Sequence, residues 1–181
     1  MGPGDTMSVP SRQETFLDLL LEHQRILHKL CALYAAGAQD REDLRQEIVL
    51  ELWRSFPSFR GEAKVSTWMY RVALNVALLR RRRAGVRAEV ELEPEPQDTT
   101  AVDEHDDEGV RLLYACIREL PAVDRAIVLL HLEKHTYEEI AALTGLTRSN
   151  VSVRLVRLKA RLRERLVARG YRPEEQPCPR T

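Results

Sequence analysis

The segment TYEEIAALTGLTRSNVSVRLVRLKARLRERL, residues 136–166, reads as two helices bent around a glycine. Thr136 and Glu139 form a T-x-x-E pattern, in which hydroxyl and carboxylate each satisfy a backbone N–H that a helix start leaves unpaired. Ile140, Ala141 and Leu143 recur at helical spacing and are expected to face inward. Gly145 supplies the tight turn, and Thr147 caps a last helix packed through Val151, Leu155, Leu158 and Leu162. The segment is a helix-turn-helix.

The solvent side of that last helix is strongly charged. From Arg148 to Arg172 there are nine bases and a single acid, Glu164, although Lys+Arg and Asp+Glu balance at 28 each over the 181 residues. A solvated helix face usually mixes signs, so an unmixed basic face points to a polyanion. In a helix-turn-helix the N-terminal half of the second helix enters the major groove. Arg148, Ser149, Asn150, Ser152, Val153, Arg154, Arg157 and Lys159 are therefore the candidate DNA-binding residues, and Arg161, Arg163 and Arg165 extend the stripe. If about five phosphates are neutralised, log K falls with a slope of about −4 to −5 in log salt.

Upstream the chain is also helical, and no segment alternates with period two long enough for a strand. Residues 1–13 are polar and predict a disordered tail. Phe16, Leu19, Leu20, His23, Ile26, Leu27, Leu30 and Cys31 predict one amphipathic helix ending near Gly37, and Leu44, Ile48 and Leu52 predict a second over residues 40–53. Phe56-Pro57 breaks it, and FRGEAKV, residues 59–65, reads as a loop. Ser66 or Thr67 is expected to cap a third helix through about Arg83, with Trp68, Met69, Val72, Val76 and Leu79 as its apolar stripe. Residues 89–108 hold ten acids and no base, with Pro94 and Pro96, and read as a solvated linker. Helical period resumes from Val110 to Leu120, and Pro121 opens the helix through Ile127, Val128, Leu130 and Leu132. The fold class is all-α: two small helical domains, residues 14–86 and 109–170, joined by a flexible acidic linker over 87–108 and followed by a tail over 171–181.

Composition limits the chemistry. No apolar run approaches the roughly 20 residues that span a bilayer, so membrane insertion is not expected and the reading is cytoplasmic. Cys31, Cys116 and Cys178 are odd in number and lack C-x-x-C spacing, and the five histidines offer no ligand pattern, so neither a disulfide framework, a metal nor a cofactor is predicted. No nucleophile–base or phosphate-loop pattern suggests an enzyme.

Two stretches outside the helix-turn-helix carry a resemblance: DREDLRQEIVLELW, residues 40–53, and FPSFRGEAKVSTWMYRVALNVALLRRRR, residues 56–83. Together they resemble the second conserved region of bacterial sigma factors, specifically the extracytoplasmic-function group, and the helix-turn-helix is similar to that group's fourth region. The likeness spans residues 16–166 in the family's order, with the variable linker between the two regions. It implies a transcription initiation factor that binds core RNA polymerase, recognises the minus-thirty-five and minus-ten promoter elements and promotes melting, with no catalysis of its own.

Site roles follow from the resemblance residue by residue. The D-L-x-Q-E helix of the family docks on the β′ subunit, which assigns Asp43, Leu44, Gln46 and Glu47, with Trp53 nearby, to polymerase binding. The residue types alone leave Asp43 and Glu47 as either a solvated pair or a salt-sensitive docking patch. In the family the F-R-G loop and a following asparagine enclose a base flipped from the minus-ten element, which assigns Phe59 and Asn75. Arg60, Lys64, Arg71, Arg80, Arg82 and Arg83 would hold phosphates of the opened strands. Phe59 and Asn75 read equally as core groups from the pattern alone, and Trp68, on the apolar stripe, reads as core. Expected partners are the β and β′ subunits of core polymerase, promoter DNA and an anti-sigma factor, with the free chain a monomer. The competing readings are a stand-alone helix-turn-helix regulator, which would bind duplex DNA without polymerase, and a sigma-like chain that only sequesters another regulator.

Overall fold

The computed structural model describes residues 11–87 and 108–171. The expected linker, the first ten residues and residues 172–181 lie outside them. Among the described residues eight α-helices run α1 Arg12–Glu22, α2 Gln24–Tyr34, α3 Ala38–Ser55, α4 Val65–Arg87, α5 Glu108–Arg118, α6 Ala122–Leu132, α7 Tyr137–Thr144 and α8 Arg148–Ala168, with a short 3-10 turn at Phe56–Ser58. Among the described residues there is no strand.

The single helix expected from Phe16 to Cys31 is two. His23 leaves the helical region at φ −108°, ψ 15°, and its N–H donates back to Leu19 O at 3.2 Å. The apolar spacing continues across the break, so periodicity could not reveal it. The last three residues assigned to the tail are folded. Ser11 caps α1 with a full capping box: its N–H donates to Glu14 Oε2 at 2.6 Å and its Oγ accepts from Glu14 N at 3.2 Å. Residues 11–13 thus belong to the folded part. A third difference is at α4, which begins at Val65, so Ser66 and Thr67 sit inside the first turn and are not its caps.

Each helix shows why its residues are where they are. α3, α7 and α8 bury one stripe: Leu44, Ile48 and Leu52; Ile140 and Leu143; Val151, Leu155, Leu158 and Leu162. α2 is buried nearly all round at its C-terminal end, Leu30 to Tyr34, and α6 along its middle, Ala126 to Leu130, as central helices must be. Each fully buried Leu, Ile or Val contributes about 1.5–3 kcal/mol relative to exposure. α1–α4 and α5–α8 make two helical units, with Met69, Tyr70, Ala73, Leu74 and Ala77 of α4 in the same continuous core as Cys116, Ile117, Leu120 and Leu129. α2 packs on α5, and α4 on α6 and α7. Cys31 and Cys116 are free and buried, and burial pushes the Cys31 thiol up to about 12, which leaves it an inert core group.

Candidate functional site

The helix-turn-helix forms as its residues dictate. Thr136 N donates to Glu139 Oε2 at 2.8 Å and Glu139 N to Thr136 Oγ1 at 3.2 Å. That backbone N–H holds the Glu139 carboxyl below its usual range. Gly145 takes the left-handed conformation at φ 72°, its N–H donating to Ala141 O at 3.0 Å, and Thr147 Oγ1 accepts from Asn150 N at 3.2 Å to start α8.

With Val151, Leu155, Leu158 and Leu162 inward, α8 turns Ser149, Asn150, Val153 and Arg157 outward, and Ser152 is half-buried at the edge. Val156 belongs to the same face and was missed in the sequence reading: it is 67% exposed, beside Val153 at 49%. The available signal was an apolar residue three positions from Val153 on a helix whose core stripe was already complete. Such a pair offers contact to thymine methyl groups in a major groove. Arg157, Lys159, Arg161 and Arg163 are exposed and make no ion pair with a described residue. Arg148 pairs with Glu138 of α7, and Arg154 with Asp124 of α6 at 3.0 Å. Arg165 departs from the expected stripe. It reaches Glu119 at 3.1 Å and Cys116 O at 3.4 Å, and Arg169 also pairs with Glu119, so the end of α8 is tied to α5.

In the first unit, α4 presents Arg71, Asn75 and Arg82 on one exposed face, with Arg83 exposed nearby. Asn75 is therefore not a core amide. Arg80, expected on DNA, lies five residues or about 140° around the helix from Asn75. It faces α3, where it pairs with Asp40 and, at 2.7 Å, with Glu47. Its geometry is that of a brace between α3 and α4. The loop over residues 59–64 turns at Gly61, φ 75°, and leaves Arg60 and Lys64 exposed. Phe59 is half-buried because its ring lies against Trp68, centroids 4.9 Å apart and planes 31° from parallel; Trp68 is itself half-buried, with its ring centroid 6.3 Å from that of Phe56. Trp68 is thus partly core and partly the floor under Phe59.

On α3, Gln46 and Glu47 are exposed and Asp43 is half-buried, accepting from Gln39 Nε2 at 2.9 Å. Leu44 does not belong with them. It is 1% exposed and packs in the core, because it shares a stripe with Ile48 and Leu52. Trp53 sits edge-on to Phe16 at 5.0 Å under the Arg12 guanidinium, at one end of an apolar groove of about 680 Å³ between α1 and α3 that Leu17, Gln46, Val49 and Leu50 also line. Leu17 and Leu50 are exposed there and were not singled out from the sequence. Among the described residues no cluster of His, Cys, Asp or Glu is arranged to hold a metal, and no helix is long and apolar enough to cross a membrane.

Known proteins give the same two regions. Residues 19–87 match Sigma-70 region 2 and residues 111–162 match Sigma-70 region 4. The chain is 30% identical over 151 residues to the ECF RNA polymerase sigma factor SigM of Mycobacterium tuberculosis, covering 81% of this chain and 74% of that one. It is 30% identical over 171 residues to ECF sigma factor SigE of Mycolicibacterium smegmatis, of which it spans 64%, and 27% identical to the ECF sigma-E factor of Escherichia coli, covering 84% of that protein. Among solved structures, the sigma factor RpoE in complex with the anti-sigma factor NepR from Bartonella quintana shares the fold, with TM-score 0.68, 22% identity and coverage of 84% of this chain and 97% of that one. Both conserved regions are present in order, at this level of identity across most of the chain, and so the protein belongs to the extracytoplasmic-function group of RNA polymerase sigma factors.

Proposed function

We propose that this alternative sigma factor docks on core polymerase through Asp43, Gln46, Glu47 and Trp53, captures the minus-ten strand with Phe59, Asn75 and the α4 bases, and reads the minus-thirty-five duplex with α8. Residues 14–86 and 109–170 are the corresponding domains. The observation that carries this reading is the sorting of surface chemistry: an exposed acid-and-amide face on α3, and two separate basic faces on α4 and α8.

Each face suits its task. Opening DNA requires a base to leave the stack, which costs a few kcal/mol. An aromatic ring recovers about 1–3 kcal/mol by stacking on it. Phe59 supplies that ring, and Trp68 keeps it from collapsing into the loop. Asn75 offers a donor and an acceptor to the base edge, while Arg71, Arg82 and Arg83 hold the flanking phosphates. On α8, Arg157 and Lys159 meet phosphates or guanine edges, and Asn150 is placed near the start of the helix, where base edges are reached. The chain performs no reaction itself; polymerisation belongs to the enzyme it recruits, in the cytoplasm. A protein of the same fold, the sigma factor RpoE of Bartonella quintana, has been solved with an anti-sigma factor, and an anti-sigma partner is part of the proposal.

The test is to mix the full chain with sigma-free core polymerase and sequence the transcripts made from fragmented genomic DNA of its host. Discrete start sites that share two spaced upstream motifs are expected, and the Phe59→Ala and Asn75→Ala variants should lose them while still binding core. Core binding without discrete starts refutes the promoter-reading role, and absence of core binding refutes the whole assignment.

A further inference from the structure

α4 starts without a capping side chain, since Lys64 before it carries donors and no acceptor. Its first intrahelical hydrogen bond runs from Trp68 N–H to Lys64 O at 3.1 Å. The N–H groups of Val65, Ser66 and Thr67 therefore have no acceptor in the helix, and no other described residue supplies one. The Ser66 and Thr67 hydroxyls, half-buried in that first turn, also make no hydrogen bond to a described residue. Aligned peptides give the start of this 23-residue helix a partial positive charge. Such a group of donors suits a phosphate or another anion.

A second observation, independent of the helix start, points the same way. The first turn of α4 opens on a pocket of about 430 Å³ that the α1–α2 junction and the α6–α7 turn complete. Tyr70 belongs to its wall. It is 2% exposed, its ring meets His135 edge-on at 5.2 Å, and its hydroxyl has no hydrogen-bond partner. Burial and then the nearby Glu133 carboxylate push its pKa up, so it remains a donor. A buried donor left unpaired opposes the packing around it. The pocket thus has unmet donors at its mouth and in its wall.

The charges agree. Arg25, Lys64 and Lys134 line the pocket and make no ion pair with a described residue. Lys29 is paired with Glu133 at 2.5 Å, while Glu139 accepts from Thr136 N–H at 2.8 Å and lies 3.5 Å from His135 Nδ1. Among the described lining residues this leaves Glu22, exposed at the end of α1, as the one acid without a partner. Lys134 takes the left-handed conformation at φ 62°, its N–H donating to His131 O at 3.0 Å to close α6. Glycine suits that conformation better, and the lysine brings a base to the pocket.

We propose that this pocket is a phosphoryl-binding site, in which the α4 N–H groups and the Ser66 and Thr67 hydroxyls hold the oxygens, Lys64, Lys134 and Arg25 meet the charge, and the Tyr70 hydroxyl donates from the wall. Its volume admits either the free ion or a small phosphate monoester. The site is a property of the free chain and does not depend on the sigma-factor reading. The two meet only at Lys64, assigned above to the opened strand.

Titration calorimetry of the full chain at constant ionic strength tests it, with inorganic phosphate and adenosine monophosphate as probes. Saturable binding at one site is expected, with a Kd of about 1 mM for phosphate. Tighter binding of the nucleotide identifies the ester as the ligand, and equal binding the free ion. Lys64→Ala and Lys134→Gly should weaken phosphate about tenfold, and Tyr70→Phe about fivefold, as losses of charged and neutral donors do. Two of these variants also separate binding from folding. Lys134→Gly relieves a left-handed lysine and Tyr70→Phe removes an unpaired hydroxyl, so each should raise the melting temperature of the free chain while weakening phosphate. Lys159→Ala, on the basic face of α8, should leave phosphate affinity unchanged. Absence of saturable binding up to about 20 mM phosphate, some twentyfold above that Kd, overturns the proposal. A loss in Lys159→Ala equal to that in Lys64→Ala overturns it too, because the attraction is then diffuse. Unchanged affinity in Tyr70→Phe places the anion outside the pocket and refutes the site by the same titration.

Discussion

Arg165→Ala and Lys159→Ala, two charge deletions six residues apart on one basic helix, should have opposite phenotypes. Lys159 is exposed and makes no ion pair with a described residue, whereas Arg165 is turned back to Glu119 at 3.1 Å and to Cys116 O at 3.4 Å. Each phosphate neutralised on duplex DNA adds about 0.9 to the slope of log K against log salt. Counting Arg157, Lys159, Arg161 and Arg163 as the untethered bases, with part of Arg148 and Arg154, gives a slope of about −4, so raising salt fourfold from 50 to 200 mM weakens binding about 250-fold. Removing Lys159 lowers the slope to about −3.1 and the loss to about 70-fold. Removing Arg165 leaves the slope at about −4 and instead loosens α8 from α5, a loss of about 1 kcal/mol in stability, discounted because Glu119 is exposed. Fluorescence anisotropy of labelled duplex over that salt range, with thermal melting in parallel, reads both effects. If Arg165→Ala flattens the slope as much as Lys159→Ala does, the tethering of the helix end is wrong and the basic stripe runs its full length.

Leu44→Ala should cost about 2–5 kcal/mol of stability, as buried leucines do, whereas its neighbour Gln46→Ala should leave chemical denaturation unchanged and weaken core-polymerase affinity in a pull-down titration. Thr136→Ala removes the cap of α7 and should lower stability by about 0.5–2 kcal/mol, seen as a lower denaturation midpoint with an unchanged slope. Acidification should act in two stages. Burial and then Lys159 depress the His131 pKa below its ordinary 6.5, so the unfolded chain takes up that proton first and stability falls as pH drops through that region. Hydrogen bonds from Ser11 and Thr136 depress Glu14 and Glu139 below 4.5, so their contribution is present above that value and lost below it. Melting temperature measured from pH 8 to 3 should show both stages, and His131→Gln should abolish only the upper one.

What was legible in the sequence is what local chemistry fixes. The α7–α8 pair was readable to the residue because a capping box, a left-handed glycine and a threonine cap are each set by groups within three or four positions. The core stripes of α3 and α8 were readable for the same reason, since period 3.6 is local. The same logic explains the errors. Leu44 stands inside a motif quoted for docking, yet the stripe it shares with Ile48 and Leu52 had already assigned it inward. The stripe was the stronger evidence. Arg80 and Arg165 stand in runs of arginine that are uniform in sequence but point to different sides of their helices, so adjacency suggested one role where the helical angle separates them.

The arginines that mattered most for the whole molecule were the least visible. Arg118 and Arg125 lie outside every basic run, and their partners, Ala32 O and Leu33 O, are backbone atoms 86 and 92 residues away. A carbonyl carries no residue identity, so no pattern in the chain can announce which side chain will cap it. Only the angle at which α5 and α6 meet the end of α2 decides that. The unit-to-unit contact therefore has a chemical logic of its own: the bases that read polyanions are displayed in runs on helix faces, and the bases that hold the two units together are single residues placed against the exposed end of one helix. Changing a residue in a run should alter salt dependence and sequence preference by increments, whereas changing one of the single residues should lower stability, because it leaves a carbonyl at the end of α2 without its cap.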